Sequence, residues 1–197
     1  MANFTGAKVK KSRALGIALT PKAQKYIKNR PFPPGQHGQR RRRRPSDYGV
    51  QLLEKQRLRF QYNISEKQLA RAYSEAVRIA GPTGDNLVQL LESRMDALVL
   101  RAGLAPTIYA ARQYVTHGHF LLNGKKVNIP SQRLKVGDII SVREKSRKSV
   151  IFAEFGPSLP YMTVDAANFS AKFEYLPPRE EIPVICAEHL VVEYYSR

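Results

Sequence analysis

Cysteine occurs once in this chain of 197 residues, at Cys186. No disulfide framework can form within it, as expected of a protein kept in a reducing compartment. No apolar run approaches the length of a membrane span. The nearest thing to a secretory core, Ala14-Leu15-Gly16-Ile17-Ala18-Leu19, is too short and is followed by Lys22, Lys25 and Lys28, which argues against secretion. An acid-free basic start also suits an organelle transit peptide, but Pro31-Phe32-Pro33-Pro34-Gly35 and the scarcity of serine argue against one. Glycine is sparse. There is no phosphate loop, dinucleotide fingerprint or nucleophile elbow, and no segment reads as a cofactor cradle. Acidic residues number 16 against 33 Lys and Arg, and none stands before Asp47.

What is present follows from that imbalance. Hydrophobic content of 43% and charged content of 25% are those of a globular protein. A net charge of +17 is not, because a compact chain so charged repels itself unless a polyanion neutralises it. The charge is graded. Residues 1–46 carry thirteen bases and no acid, residues 47–150 a net +8, and residues 151–197 a net −4. Five consecutive arginines, Arg40 to Arg44, follow the turn Gly35-Gln36-His37-Gly38. Such a tract is often a solvated or localisation segment, but this one abuts a helix start, which fixes its base.

Local signals divide the rest. Pro21, Pro31, Pro33, Pro34 and Pro45 predict an irregular arm over residues 1–46. Ser46 and Asp47 are candidate helix caps. Ser65-Glu66-Lys67-Gln68 is a capping box, with Leu69, Tyr73, Ala76, Val77 and Ala80 following at helical spacing. After Gly81-Pro82-Thr83-Gly84, the series Leu87, Leu90, Leu91, Met95 and Leu98 predicts one further helix, three in all over 47 to about 100. Thr107 caps a helix over 108–117, with Gly118 as its stop. Asn123-Gly124 predicts a type I′ hairpin between Phe120–Leu122 and Lys125–Ile129. Ile139–Val142, Met162–Val164 and Lys172–Leu176 read as further strands. Leu190–Tyr195 fits strand or helix equally.

Catalytic and metal readings find little support. His117-Gly118-His119 offers two nitrogens where a structural zinc needs four ligands, so the pair is expected to pack or to meet phosphate. Cys186 and His189 sit among apolar neighbours and read as buried structure. Asp47, Asp85, Asp96 and Asp138 are explained by caps, turns or ion pairs. No cofactor and no metal are expected. Arginines can grip phosphates bidentately and stack on bases, and further bases recur around one helix and one hairpin. Folded RNA is the favoured polyanion, because no helix-turn-helix, zinc finger or zipper appears.

At this point four stretches carry a resemblance. They are Glu92–Leu98, Ala111–His119, Asn123–Ser131 and Val136–Lys145. In order and spacing they resemble the S4-type RNA-binding domain, which also occurs in pseudouridine synthases, a class of tRNA synthetases and small heat-shock RNA binders. The flanks Pro34–Gly38, Ser46–Leu52 and Glu188–Ser196 are similar to the small-subunit ribosomal protein S4 family of bacteria and organelles. The resemblance covers nearly the whole chain. It implies a non-enzymatic protein that binds small-subunit ribosomal RNA early in assembly, at a helical junction in the 5′ region. It also implies a place near the channel through which messenger RNA enters, with neighbouring ribosomal proteins and messenger RNA as further partners. No membrane is involved. The expected location is the cytoplasmic ribosome, an organelle ribosome being the second choice. Two departures stand out. Many relatives carry four N-terminal zinc-binding cysteines that are absent here. Residues 149–161 also differ from the usual helical linker and its following tryptophan, where Tyr161 now stands.

The expected architecture is α+β: a basic irregular arm (1–46), a helical domain (47–93, completed by 176–197) and an S4-type domain of short helices on a small, mainly antiparallel sheet (94–175). The residues expected at RNA are Arg40, Arg41, Arg42, Arg43, Arg44, Lys55, Arg59, Arg71, Arg94, Arg112, His117, His119, Lys125, Lys126 and Arg133. In the resembling family the helix and the hairpin form a single face, so the resemblance implies that Arg112 and the Lys125-Lys126 pair share it and that Arg112 can be lost without loss of fold. The alternatives are an RNA-modifying enzyme docking through the same domain, for which no remaining segment is long enough, and a nonspecific nucleic-acid binder.

Overall fold

A computed structural model of the chain describes residues 4–40, 44–152 and 156–197. The chain divides into two compact units, residues 1–86 with 184–197 and residues 87–183. Among the described residues no helix is long and apolar enough to cross a membrane.

The first unit corrects the expectation of an irregular arm. Residues 4–30 hold two helices, α1 (Lys8–Leu15) and α2 (Pro21–Asn29). The prolines do not break them because they stand at boundaries. Pro21 is the first residue of α2, where a missing N–H costs nothing, and the Thr20 hydroxyl accepts the Ala23 N–H at 3.3 Å. The apolar hexapeptide is a packing element: Leu15, Ile17 and Leu19 are buried in a cluster with Phe60. Phe60 belongs to α3 (Asp47–Gln61), which Ser46 caps through the Gly49 N–H at 3.2 Å. Arg57 of that helix donates Nε to the Leu15 carbonyl at 2.9 Å, tying α1 down.

Helix α4 (Glu66–Ala76) opens with the full capping box, Ser65 and Gln68 each accepting the other's backbone N–H. Helix α5 (Thr83–Glu92) follows. The C-terminal segment returns to this unit as α9 (Glu188–Tyr195), which resolves the ambiguity at Leu190–Tyr195 as helix. It is fastened to α3 by side chains. Gln61 donates to the Ile185 carbonyl and accepts the Ile185 N–H, Glu54 accepts the Ala187 N–H, and Gln51 donates to Glu193.

Glu66 joins three elements of this unit. It accepts from Lys55 Nζ at 2.9 Å and from the Tyr195 hydroxyl at 2.7 Å. Partial burial pushes its carboxyl up, but the hydrogen bonds from Tyr195 and Lys55 and the charges of Lys55 and Arg59 outweigh that and hold it below its ordinary value. A folded-state value below the unfolded one contributes stability above the ordinary carboxylate range, lost as pH falls through the folded value. The thermal midpoint of this unit is therefore expected to fall as pH drops below about 4.3. In Glu66→Gln the starting midpoint should be lower and the fall shallower, as measured by circular dichroism across a pH series.

In the second unit the single helix expected over residues 85–98 is two. A break at Ser93-Arg94 separates α5 from α6 (Met95–Arg101). The cause is nonlocal. Arg94 forms an isolated antiparallel bridge with Arg133, the Met95 N–H reaches the Gln132 carbonyl at 2.8 Å, and the Leu134 N–H reaches the Ser93 carbonyl at 2.8 Å. Backbone pairing with residues 130–134 thus overrides a continuous helical pattern. Helix α7 (Ile108–Thr116) is capped by Thr107 as expected.

A five-stranded antiparallel sheet follows: β1 (Phe120–Leu122), β2 (Lys125–Val127), β3 (Ile139–Val142), β4 (Met162–Asp165) and β5 (Ser170–Phe173), in spatial order β2-β1-β3-β5-β4. The hairpin turn has φ of 47° at Asn123 and 78° at Gly124, as a type I′ turn requires. Between β3 and β4 lie the short α8 (Glu144–Arg147) and a 3₁₀ turn at Val150–Phe152. Helices and sheet enclose one core that includes Met95, Leu98, Phe120, Ile140, Phe152, Tyr161 and Phe173. Tyr161 is fully buried, and its hydroxyl donates to the buried Glu92 at 2.7 Å. Burial and the Glu92 carboxylate push the Tyr161 hydroxyl's pKa far up, so it remains a donor.

Candidate nucleic-acid interface

The arginine run starts from an ordered turn. Arg13 of α1 donates Nε to the Phe32 carbonyl at 3.1 Å and a second nitrogen to the Pro33 carbonyl at 3.3 Å, with its guanidinium over the Phe32 ring. Gly38 folds back so closely that a Cβ there would lie 2.0 Å from the Pro33 oxygen. This accounts for glycine in the Gly35–Gly38 turn. The Arg40 N–H closes on the His37 carbonyl at 3.2 Å. The side chains of Arg40 and Arg44 are exposed. Arg41, Arg42 and Arg43 lie outside the described residues.

The remaining expected cations separate into two groups. Lys55 is only 4% exposed; its ammonium binds Glu66 and lies 4.4 Å from the Tyr194 ring centroid. Arg59 donates to the Ile64 carbonyl and to Gln56. Arg94 is 5% exposed and grips Asp96 bidentately at 2.9 and 2.7 Å. Arg112 is 4% exposed and reaches the same carboxylate at 3.4 Å. Burial pushes the Asp96 carboxyl up, opposed by both guanidinium groups and the Ala97 N–H. Each of these four cations is engaged inside its own unit, Lys55 and Arg59 in the first and Arg94 and Arg112 in the second. The expected variant of Arg112, lost from the RNA face with the fold intact, is therefore corrected: its guanidinium is enclosed and committed to Asp96. Arg101, another of the bases recurring on the folded parts, likewise pairs with buried Glu92 at 2.5 Å.

Arg71, His117, Lys125, Lys126 and Arg133 are exposed. Three features meet at the end of α7. Gly118, at φ +70°, leaves the helix so tightly under the hairpin that a Cβ on it would lie 2.8 Å from Lys126 Cε. The Lys126 stem therefore crosses the helix C-terminus, where carbonyl dipoles favour a cation. Arg143 donates to the Gly118 carbonyl at 3.1 Å, and its backbone N–H reaches the His119 carbonyl. His117 stands beside them, its ring 6.0 Å from that of His119. Strand alternation places Lys125 on the opposite face of β2 from Lys126, so the two lysines do not share the single face expected of them.

His119 packs instead of facing outward. Its Nδ1 is 3.0 Å from the Ser146 hydroxyl, and its ring meets Tyr114 and Phe152 edge-on. Burial, then the charges of His117 and Arg143, lower its pKa. Arg143 was absent from the expected set, as were the exposed Lys145 and Lys148. The sequence does signal them, since residues 143–148 hold four bases and one acid. Among the described residues no group of three or more His, Cys, Asp and Glu is placed to hold a metal ion.

Two family patterns match the chain in tandem: the ribosomal protein S4/S9 N-terminal domain over residues 3–92 and the S4 domain over residues 93–140. Small ribosomal subunit protein uS4 of Streptomyces avermitilis is 55% identical over the whole of both chains. The chain belongs to the uS4 family. The Micrococcus luteus uS4 protein is 56% identical over 96% of this chain and 95% of its own. That of Chlorobium phaeovibrioides is 49% identical over the whole of both. The S4 domain match takes in α6, α7 and the β1–β2 hairpin, and so holds the Gly118 cluster except for Arg143. The uS4 family is a family of ribosomal proteins and not of enzymes.

Proposed function

We infer that this chain is a structural constituent of the small ribosomal subunit and binds small-subunit ribosomal RNA directly. The observation that carries the reading is the cluster of His117, Lys126 and Arg143 closing on the end of α7, within and beside a segment that matches the S4 RNA-binding domain. A helix end and a tight hairpin support these cations, so little conformational entropy is lost when they meet phosphate. The acid-free N-terminal 46 residues add a second cationic surface. On α2, Lys22, Lys25 and Lys28 are exposed and spaced three apart. Early binding during assembly, a position near the channel for messenger RNA, contact with neighbouring ribosomal proteins and residence on cytoplasmic ribosomes accompany this reading and rest on family resemblance. Within the S4-domain unit, Lys126, Arg143, His117, Lys125 and Arg133 are the proposed contacts. Arg40 to Arg44 and Arg71 are those of the other unit.

Changing Lys126 and Arg143 together to glutamine is expected to reduce affinity for a 5′-domain transcript of small-subunit ribosomal RNA by about 10- to 100-fold, at about 0.7 to 1.4 kcal/mol for each solvent-exposed contact. The thermal midpoint should change little, since Lys126 is exposed and Arg143 is partly exposed. Lys125→Gln should cost less. The same assay with competing duplex DNA of equal length separates this reading from a nonspecific binder, for which both polymers compete equally.

A further inference from the structure

We propose that Tyr48 is a stacking platform for one unpaired nucleotide of the bound RNA, held at the anchored end of the arginine run. This rests on the RNA-binding reading above and assigns a site that reading does not contain. Tyr48 lies in the first turn of α3 and is 49% exposed, so much of its ring is in solvent. A half-exposed tyrosine is unremarkable by itself. This one is braced. Its ring centroid is 5.7 Å from that of Tyr194 at an interplanar angle of 34°, and Tyr194 is in turn held by Lys55, 4.4 Å from its centroid. Lys55 is itself buried and bound to Glu66, so the support runs into the interior of the unit. A ring fixed in this way loses little freedom when a base lies on it.

The surrounding charge selects the ligand. Arg44 precedes the Ser46 cap by two residues, and the Arg197 guanidinium lies over the Tyr48 ring, 5.8 Å from its centroid, so a base entering there displaces it or stacks against it in turn. The acids nearby are Asp47, at the positive end of α3, and Glu193, which accepts from Gln51 at 2.9 Å. A flat, braced π-face between cations suits a nucleobase with its phosphates, because base–aromatic stacking is tolerant of sequence and the cations meet the backbone. Duplex nucleotides, stacked on their own neighbours, cannot use such a face; an unpaired one can.

The test uses the full chain and a 5′-domain transcript of small-subunit ribosomal RNA at one fixed salt concentration. Tyr48→Ala and Tyr48→Leu are expected to weaken binding by about 5- to 100-fold, whereas Tyr48→Phe stays within about twofold of the parent. The salt dependence should be unchanged in all three, since no phosphate contact is removed. Ultraviolet cross-linking of the unaltered protein should join the Tyr48 peptide to one nucleotide that chemical probing reports as unpaired. Leucine binding as well as phenylalanine, or a cross-linked map without Tyr48, overturns the platform while leaving RNA binding in place. If circular dichroism shows the alanine variant unfolded, the leucine–phenylalanine comparison and the cross-link decide. Failure of the parent protein to bind the transcript overturns the RNA-binding reading itself, and the platform with it.

Discussion

Replacing Asp96 with alanine is expected to destabilise the unit of residues 87–183 by about 3 to 5 kcal/mol, as removal of one partner from a buried ion pair does. Asp96 is fully buried at the start of α6. Its carboxylate accepts two bonds from Arg94, one from Arg112 and one from the Ala97 N–H. Alanine leaves two guanidinium groups, each about 5% exposed, with their shared anion gone. Since a domain of this size is held by only about 5 to 15 kcal/mol, the loss is a large share of the whole. Arg112→Met should cost less than Asp96→Ala, because it removes one buried charge and leaves Arg94 to neutralise Asp96. Hydrogen exchange on the full chain checks this: faster exchange in α6, α7 and β1 with the first unit unchanged is the expected pattern. Equal stability of the alanine variant would mean that water reaches the triad.

Changing Arg40 to Arg44 to glutamine is expected to produce the largest loss of RNA affinity without unfolding. Each phosphate neutralised on a linear nucleic acid contributes about 0.7 to 0.9 to the slope of log affinity against log salt. Loss of five contacts therefore lowers the slope by about 3.5 to 4.5. The fold should survive. On one side Arg13 pins the Phe32 and Pro33 carbonyls, and on the other Ser46 caps α3, neither of which needs the run. A series of binding isotherms across salt concentrations checks the slope, with circular dichroism as the control. An unchanged slope would assign the run to solvent or to a protein neighbour.

The parts of this structure that were legible in the sequence are those decided by neighbours in the chain. Ser46, Ser65 and Thr107 cap their helices because a hydroxyl within three residues of a free N–H needs no distant partner. Asn123-Gly124 turns the hairpin because only those two residues must take positive φ. What the sequence concealed was nonlocal. The break between α5 and α6 depends on a segment some forty residues downstream, and the helical spacing of Leu91, Met95 and Leu98 carries no trace of it. The helices of residues 8–29 were hidden because the prolines read as breaks, although Pro21 opens α2 and no proline stands within or beside α1.

At the candidate site the same division holds. Lys126 was found because the Asn123-Gly124 turn placed it. In the sequence Arg94, Arg112 and Lys55 read as surface cations, because Asp96 and Glu66 become their partners only when the chain folds. A positive charge in a basic protein reads as a phosphate contact until its own carboxylate is found.

The most direct test of the account is chemical footprinting of the protein on small-subunit ribosomal RNA. The expected result is protection confined to a helical junction in the 5′ region. Protection near the Gly118 cluster's contact should be lost in the Lys126–Arg143 double variant, and a separate patch should be lost in the Arg40–Arg44 variant. Weak, even protection along the whole RNA, unchanged by either variant, would contradict a specific ribosomal role and leave only a basic protein attracted to phosphate.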